Sequence, residues 1–232
     1  MIYIVTGVSR GLGHAIVEQL LKDNKQVICI GRSNPFGENV EFLKCDFGDS
    51  RQVKNIEFGF DSEAEVTLIN NAGVIGDIGR ISSQETSDVE HVMQVNLFAP
   101  MAITRKVYSR MSNKSLFTLV NISSGAANRS IPSWASYCAS KAALNRVTEN
   151  FYLEELELGN KVKAYAVAPG VIDTGMQSQI RSVSKEEFSQ VDNFIRMKED
   201  GVLFSSEEAA ERLLKLLSQS YGDEVFYDLR TI

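Results

Sequence analysis

Short β-branched apolar runs alternate along this chain with longer stretches whose apolar residues recur every three or four positions. The first run, Ile2–Thr6, reads as a strand; Leu12, Ile16, Leu20 and Leu21 then fall on one face of a helix over Leu12–Lys22. The same alternation predicts strands at Val27–Ile30, Val40–Cys45, Val66–Ile69, Leu116–Ile122, Val162–Ala168 and Glu224–Tyr227. Helices are predicted at Ser87–Val95, Pro100–Met111, Ser133–Leu158, Lys185–Lys198 and Ser206–Leu217, with a weaker helical stretch at Ser50–Ile56. Leu116–Ile122 is apolar nearly throughout, as a central parallel strand covered on both faces requires. Alternation over the whole length implies an α/β, doubly wound sheet of about seven parallel strands with helices on both faces. No linker, internal repeat or low-complexity segment interrupts the pattern, so residues 1–232 are expected to form a single domain.

Composition removes several functions. The 24 basic and 30 acidic residues leave a net charge of −6, which argues against a general nucleic-acid face. No apolar run is long enough for a membrane span. The N-terminus enters an apolar run directly, without a basic region or a cleavage-like end, so a cytoplasmic location is expected. Cys29, Cys45 and Cys138 are too far apart for a metal-ligand pattern, and their odd number suits a reducing compartment. They read as small buried or half-buried hydrophobes. The only histidines, His14 and His91, read as helix-surface residues, so neither a metal site nor a histidine-based triad is expected.

Open parallel sheets bind ligands beyond the carboxyl ends of their strands. After the first strand comes Gly7-Val8-Ser9-Arg10-Gly11-Leu12-Gly13 and then a helix. Glycines there permit a tight turn, close approach to a diphosphate and tight helix-on-strand contact, which makes the sheet Rossmann-type. The spacing G-x-x-x-G-x-G differs from the commonest dinucleotide fingerprint and lacks the lysine of a nucleoside-triphosphate loop; a merely tight turn is the plainer alternative. After the second strand, Arg32 stands where an acidic reader of a ribose hydroxyl would be. Arg32 and Arg10 converging on one spot would match a phosphate dianion, which favours NADP(H); two solvated surface arginines are the alternative.

Tyr137 and Lys141 share a face near the start of the long helix, so a phenol and an ammonium can point into one cleft. A free phenol titrates at about 10, and a neighbouring ammonium is expected to lower that value. Such pairs are common on helices. Their context here is Ser124, thirteen residues earlier at the end of the fifth strand, a hydroxyl at the same sheet edge as the glycine loop.

The sequence resembles the short-chain dehydrogenase/reductase family over essentially its full length. The resemblance is carried by Thr6-Gly7 through Gly13, Asp46, Asn70-Asn71-Ala72-Gly73, Asn96, Ser124, Tyr137 with Lys141, and Pro169-Gly170 with Thr174. It implies that Tyr137 is the general acid in carbonyl reduction and the base in alcohol oxidation. Lys141 would hold the nicotinamide ribose and lower the phenol pKa, Ser124 would hydrogen-bond the substrate oxygen, and Asn96 would hold a water linking Lys141 to solvent. It places Gly7, Ser9, Arg10, Gly11, Leu12 and Gly13 at the cofactor, Asp46 and Phe47 at the adenine, and Asn71, Ala72 and Gly73 beside the adenosine ribose. Pro169, Gly170, Ile172 and Thr174 would meet the nicotinamide.

Val120–Ala127, Trp134–Cys138, Pro169–Met176 and Val225–Asp228 look closer to benzil reductases and sepiapterin reductases than to the family at large. That subgroup implies reduction of a ketone or 1,2-diketone, with Met176 and Trp134 at the substrate; for Trp134, packing at the helix start is an equal alternative. Residues 173–201, with Met176, Ile180, Phe188, Val191, Phe194 and Ile195 as apolar faces, are expected to form a substrate lid. Analogy with relatives implies a homodimer or homotetramer paired through the Ser133–Leu158 helix. Two departures are the short, weakly helical Asp46–Asn70 segment and a last strand without the glycine-rich tail of many relatives. A non-catalytic NADP(H)-binding regulator is the alternative function, although such proteins usually lose the tyrosine or lysine. An extended-fold sugar-nucleotide epimerase would need a longer C-terminal domain than 232 residues allow.

Overall fold

A computed structural model describes residues 1–112, 115–219 and 224–232. Seven strands form one sheet: β1 (Ile2–Thr6), β2 (Gln26–Gly31), β3 (Glu41–Lys44), β4 (Val66–Asn70), β5 (Phe117–Ile122), β6 (Val162–Ala168) and β7 (Phe226–Asp228). Their order is β3-β2-β1-β4-β5-β6-β7, and every neighbouring pair is parallel. The chain winds outward from β1 through β2 to β3, then returns to place β4 on the other side of β1. The connections after β1 and β4 therefore diverge and leave a crevice at the carboxyl rim.

The helices are α1 (Gly11–Lys22), α2 (Ser50–Asn55), α3 (Thr86–Met93), α4 (Ala99–Tyr108), α5 (Ala135–Glu157), α6 (Gly175–Arg181), α7 (Val191–Glu199) and α8 (Ser206–Ser218). Successive strand residues face opposite sides of the sheet. Val5 and Cys29 accordingly join Ile16 and Leu20 of α1 and Leu213 and Leu216 of α8 in one core. Ile4 and Ile28 join Ile103 and Val107 of α4, with Phe151 of α5 packed against them, in the other. A third cluster, built around Ile131, Trp134, Phe188 and Phe194, sits over the carboxyl rim. Among the described residues no helix is long and apolar enough to cross a membrane.

Several element boundaries differ from the sequence pattern. The two helices expected at Ser87–Val95 and Pro100–Met111 are one helical run, joined by a π-turn at Gln94–Phe98. The lid helix expected at Lys185–Lys198 begins only at Val191, since Ser184 caps a turn against Glu187. Helix α6 was not expected: seven residues are too few to show a helical period. The last strand covers Phe226–Asp228 rather than Glu224–Tyr227.

Candidate active site

The turn after β1 is built by close backbone approach. Gly7 has φ +72°, and a Cβ there would lie 2.8 Å from the Ala72 Cα. A Cβ at residue 13 would lie 2.3 Å from Asn71 Nδ2 and 2.5 Å from the Gly7 carbonyl oxygen. The space so kept is used: Asn71 Nδ2 donates to the Thr6 and Gly7 carbonyls, each at 3.0 Å. The Thr6 hydroxyl in turn accepts from the Asn71 and Ala72 N–H groups at 2.9 and 3.0 Å. Thr6, a buried residue to which the sequence assigned no role, thus locks the exits of β1 and β4 together. Helix α1 starts at Gly11 with no side-chain cap and no acidic residue in its first turn, leaving its N-terminal dipole to an external anion.

Helix α5 meets the sheet through polar groups, an arrangement that no amphipathic pattern announces. Asn121 Nδ2 donates to the Thr148 hydroxyl at 2.8 Å, the Ser123 hydroxyl donates to Asn145 Oδ1 at 2.5 Å, and Lys141 Nζ donates to the Ile122 carbonyl at 2.8 Å. These directional bonds fix the register of α5 on β5, and that register brings Tyr137 to Ser124, whose hydroxyl hydrogen-bonds the phenol. Ser133, in a left-handed conformation at φ +69°, turns the chain into α5 and donates to the Glu187 carbonyl, between α6 and α7, at 2.6 Å.

Together these elements enclose a cleft of about 360 Å³ along the carboxyl rim. Its polar end lies after β1–β4 and is lined by Gly7, Ser9, Arg10, Gly11, Leu12, Arg32, Asp46, Phe47, Asn71, Ala72 and Gly73. Its other end is lined by Ser124, Trp134, Tyr137, Lys141, Pro169, Gly170, Ile172, Thr174 and Met176. Of the candidate catalytic, cofactor and substrate residues named from the sequence, Gly13 and Asn96 do not line it, nor do Phe188, Val191 and Ile195 of the 173–201 segment. Gly13 is the contact point of α1 on the turn. Asn96 is fully buried in the π-turn; its Oδ1 accepts from the Val74 N–H at 2.9 Å, and its Nδ2 donates to the Val74 carbonyl at 2.8 Å and to Ser140 Oγ at 3.1 Å. Its side chain is therefore committed to Val74 and Ser140. Arg10 and Arg32 both reach the cleft, but the guanidinium carbon of Arg10 lies 3.7 Å from where a side chain on Gly175 would begin, at the start of α6.

Aromatic rings make up the far wall. The Trp134 ring stacks on Phe188 at 5.4 Å and meets Tyr137 edge-on at 5.8 Å, with Phe194 at 5.4 Å. Helices α6 and α7 close over them, tied by Asp173 to Arg181 and Lys198 and by Gln179 Nε2 to the Gly76 carbonyl at 3.0 Å. Ile75, Ile131, Gln177, Arg129 and Arg230 also line the cleft and were not singled out in the sequence. They come from loops, short turns and the seven-residue α6, which are too short to show a periodicity.

Burial dominates the electrostatics. It lowers the Lys141 pKa to about 8 and raises that of Tyr137, with the Ser124 hydrogen bond pulling the phenol the other way. The sequence suggested a phenol lowered by its lysine. Instead Lys141 Nζ lies 5.9 Å from the ring centroid and is bonded to the Ile122 carbonyl, so desolvation outweighs charge. Burial likewise raises the Cys29 and Cys45 thiols, to about 12 and about 11.

The family model for short chain dehydrogenase matches residues 1–185. A benzil reductase ((S)-benzoin forming) of Bacillus cereus is 38% identical over 234 residues, covering 92% of this chain and 92% of that protein. A sepiapterin reductase of Rattus norvegicus is 27% identical over 259 residues, covering 97% and 96%. The crystal structure of a short chain dehydrogenase from Burkholderia cenocepacia J2315 in complex with NADP superposes with a TM-score of 0.71 at 27% identity, covering 97% of this chain and 86% of that one.

Proposed function

We propose a specific reaction for this chain, which belongs to the short-chain dehydrogenase/reductase family and is an NAD(P)-dependent oxidoreductase acting on CH–OH and C=O groups. It is an NADPH-dependent reductase of ketones or 1,2-diketones, of the benzil reductase-like subgroup. The observation that carries the reading is the meeting of Ser124, Tyr137 and Lys141 between a glycine-built turn and an aromatic wall.

The residues present fit a nicotinamide dinucleotide. The turn formed by Gly7, Ser9, Arg10 and Gly11 lines the cleft at the uncapped start of α1, which suits a diphosphate. Arg32, with Arg10 in reach of the same cleft, supports a ribose phosphate and hence NADPH over NADH. The bound reduced cofactor would supply the hydride. Negative charge then grows on the substrate oxygen, where the Ser124 hydroxyl would hold it and the Tyr137 phenol would give its proton. A phenol whose pKa burial raises stays protonated near neutrality, ready for reduction and poorly suited to act as a base. Lys141 would hold ribose hydroxyls beside Tyr137, with Asn96 bracing the Val74 strand exit. Residues 173–201 serve as the lid, and the exposed Phe98 of the π-turn, Met101 of α4 and Leu153 and Leu156 of α5 support pairing of two copies through these helices.

The test is consumption of NADPH and NADH in parallel across a panel of ketones and diketones, with Tyr137→Phe as control. Wild type consumes NADPH with benzil, and Tyr137→Phe lowers kcat by about 100- to 10,000-fold while still binding NADPH. Reduction varies little between about pH 6 and 8, whereas alcohol oxidation rises with pH as the phenol deprotonates. An unchanged rate in Tyr137→Phe refutes the mechanism. Cofactor binding without turnover across the panel would instead favour a regulatory protein.

A further inference from the structure

Two polar atoms in the aromatic half of the cleft have nothing to bond. Gln177 in α6 and Trp134 at the start of α5 both line the cleft, and their residues are 7% and 6% exposed. Gln177 Oε1 and Trp134 Nε1 are buried without a hydrogen-bond partner among the described residues. Trp134 packs in a cluster with Ile75, Ile131, Ile180, Phe188 and Phe194, whose side chains offer only carbon. Helix α6 does not need Gln177 for its own anchorage, since Gln179 ties it to the Gly76 carbonyl and Asp173 ties Arg181 at its end. A buried polar group left unpaired costs about 1–3 kcal/mol, so a wall selected for packing alone would carry an apolar side chain at position 177.

We propose that Gln177, with the indole N–H of Trp134, is a specificity-determining anchor for a second oxygen of the substrate, separate from the carbonyl that is reduced. The inference rests on the reductase reading above. Ser124 and Tyr137 take the reacting oxygen, and a substrate with no other polar atom leaves the buried amide oxygen and the indole N–H unsatisfied. A second carbonyl accepts from the Gln177 Nε2 or the Trp134 N–H, whereas the unpaired Gln177 Oε1, itself an acceptor, is met only by a donor such as a hydroxyl. Sites that hydrogen-bond a substrate group discriminate against analogues lacking it more sharply than apolar pockets judge size. The expected preference for the two-oxygen ligand is about 10- to 100-fold.

Trp134 is the chain's one tryptophan, so its fluorescence reports this pocket directly. Wild-type protein saturated with NADP⁺ is titrated with benzil and with deoxybenzoin, which keeps both phenyl rings and lacks one oxygen. Benzil binds at least about 10-fold tighter, and in Gln177→Met, which keeps the length of the side chain, that ratio falls to within about 2-fold. Equal affinities in wild type, no quenching by either compound, or equal weakening of both ligands in Gln177→Met overturns the proposal; equal weakening is what a purely structural role produces. Turnover with NADPH is measured separately. Selective binding without turnover refutes the reductase reading alone, and turnover without selectivity refutes the anchor alone.

Discussion

The two ends of the cleft are made from different materials. The end after β1–β4 is made of backbone: the Gly7 turn, the Asn71 and Thr6 bonds that clamp it, and the open start of α1. The end beyond β5 is made of side chains, with Trp134, Phe188 and Phe194 packed on one another under α6 and α7. Backbone geometry tolerates almost no substitution at its contact points, whereas a wall of rings can be recut one residue at a time. The first end suits a ligand that does not vary and the second a ligand that does. Lys141 stands at the seam, held to β5 and within reach of both.

The largest expected effect is at that seam. Lys141 has a folded pKa of about 8, below its ordinary 10.5, so between those values the unfolded chain binds more protons and stability rises with pH. Below about pH 8 the buried ammonium destabilises the fold in full. Lys141→Met is therefore more stable than wild type at pH 7 by on the order of 3 kcal/mol, and the gain shrinks as pH rises from 8 toward 10.5. Urea unfolding of both proteins across that range checks it; a difference independent of pH contradicts the burial argument.

Gly13→Ala comes next. The new methyl meets Asn71 Nδ2 and the Gly7 carbonyl, neither of which can move without opening the β1–β4 clamp, and the expected loss is about 2 kcal/mol with NADPH affinity reduced further. Normal cofactor binding in a folded Gly13→Ala protein would show that the turn is more pliant than the distances allow. Arg32→Gln separates the two ends more gently. It lowers the kcat/KM ratio of NADPH to NADH by about 10-fold and leaves the ketone KM alone. Phe194→Ala is the mirror case, raising the KM of an aromatic ketone by about 5-fold with NADPH affinity unchanged. If either variant moves both ligands equally, the division between the ends is not real.

Legibility followed the same division. The glycine spacing, the Asn71-Ala72-Gly73 exit and the Tyr137–Lys141 pair were readable because each occupies a fixed place relative to an apolar strand. All seven strands were found, most within a residue or two, because buried parallel strands are short apolar runs with hard ends. Helix α6 was invisible for its length, and the π-turn around Asn96 because a single extra residue leaves the helical period nearly intact. Gln177 looked like any surface glutamine on a polar stretch. Nothing local marked it as buried.

The sequence alone determined which strands form, where their carboxyl ends fall, and that the chain turns through glycines into the first helix. These are properties of neighbouring residues and of backbone sterics. The tertiary structure alone decided the register of α5 on β5 and the sign of the Tyr137 shift. It also decided which side chains of the lid face inward. Those depend on desolvation and on bonds between residues far apart in the chain, and both exist only after the layers have packed.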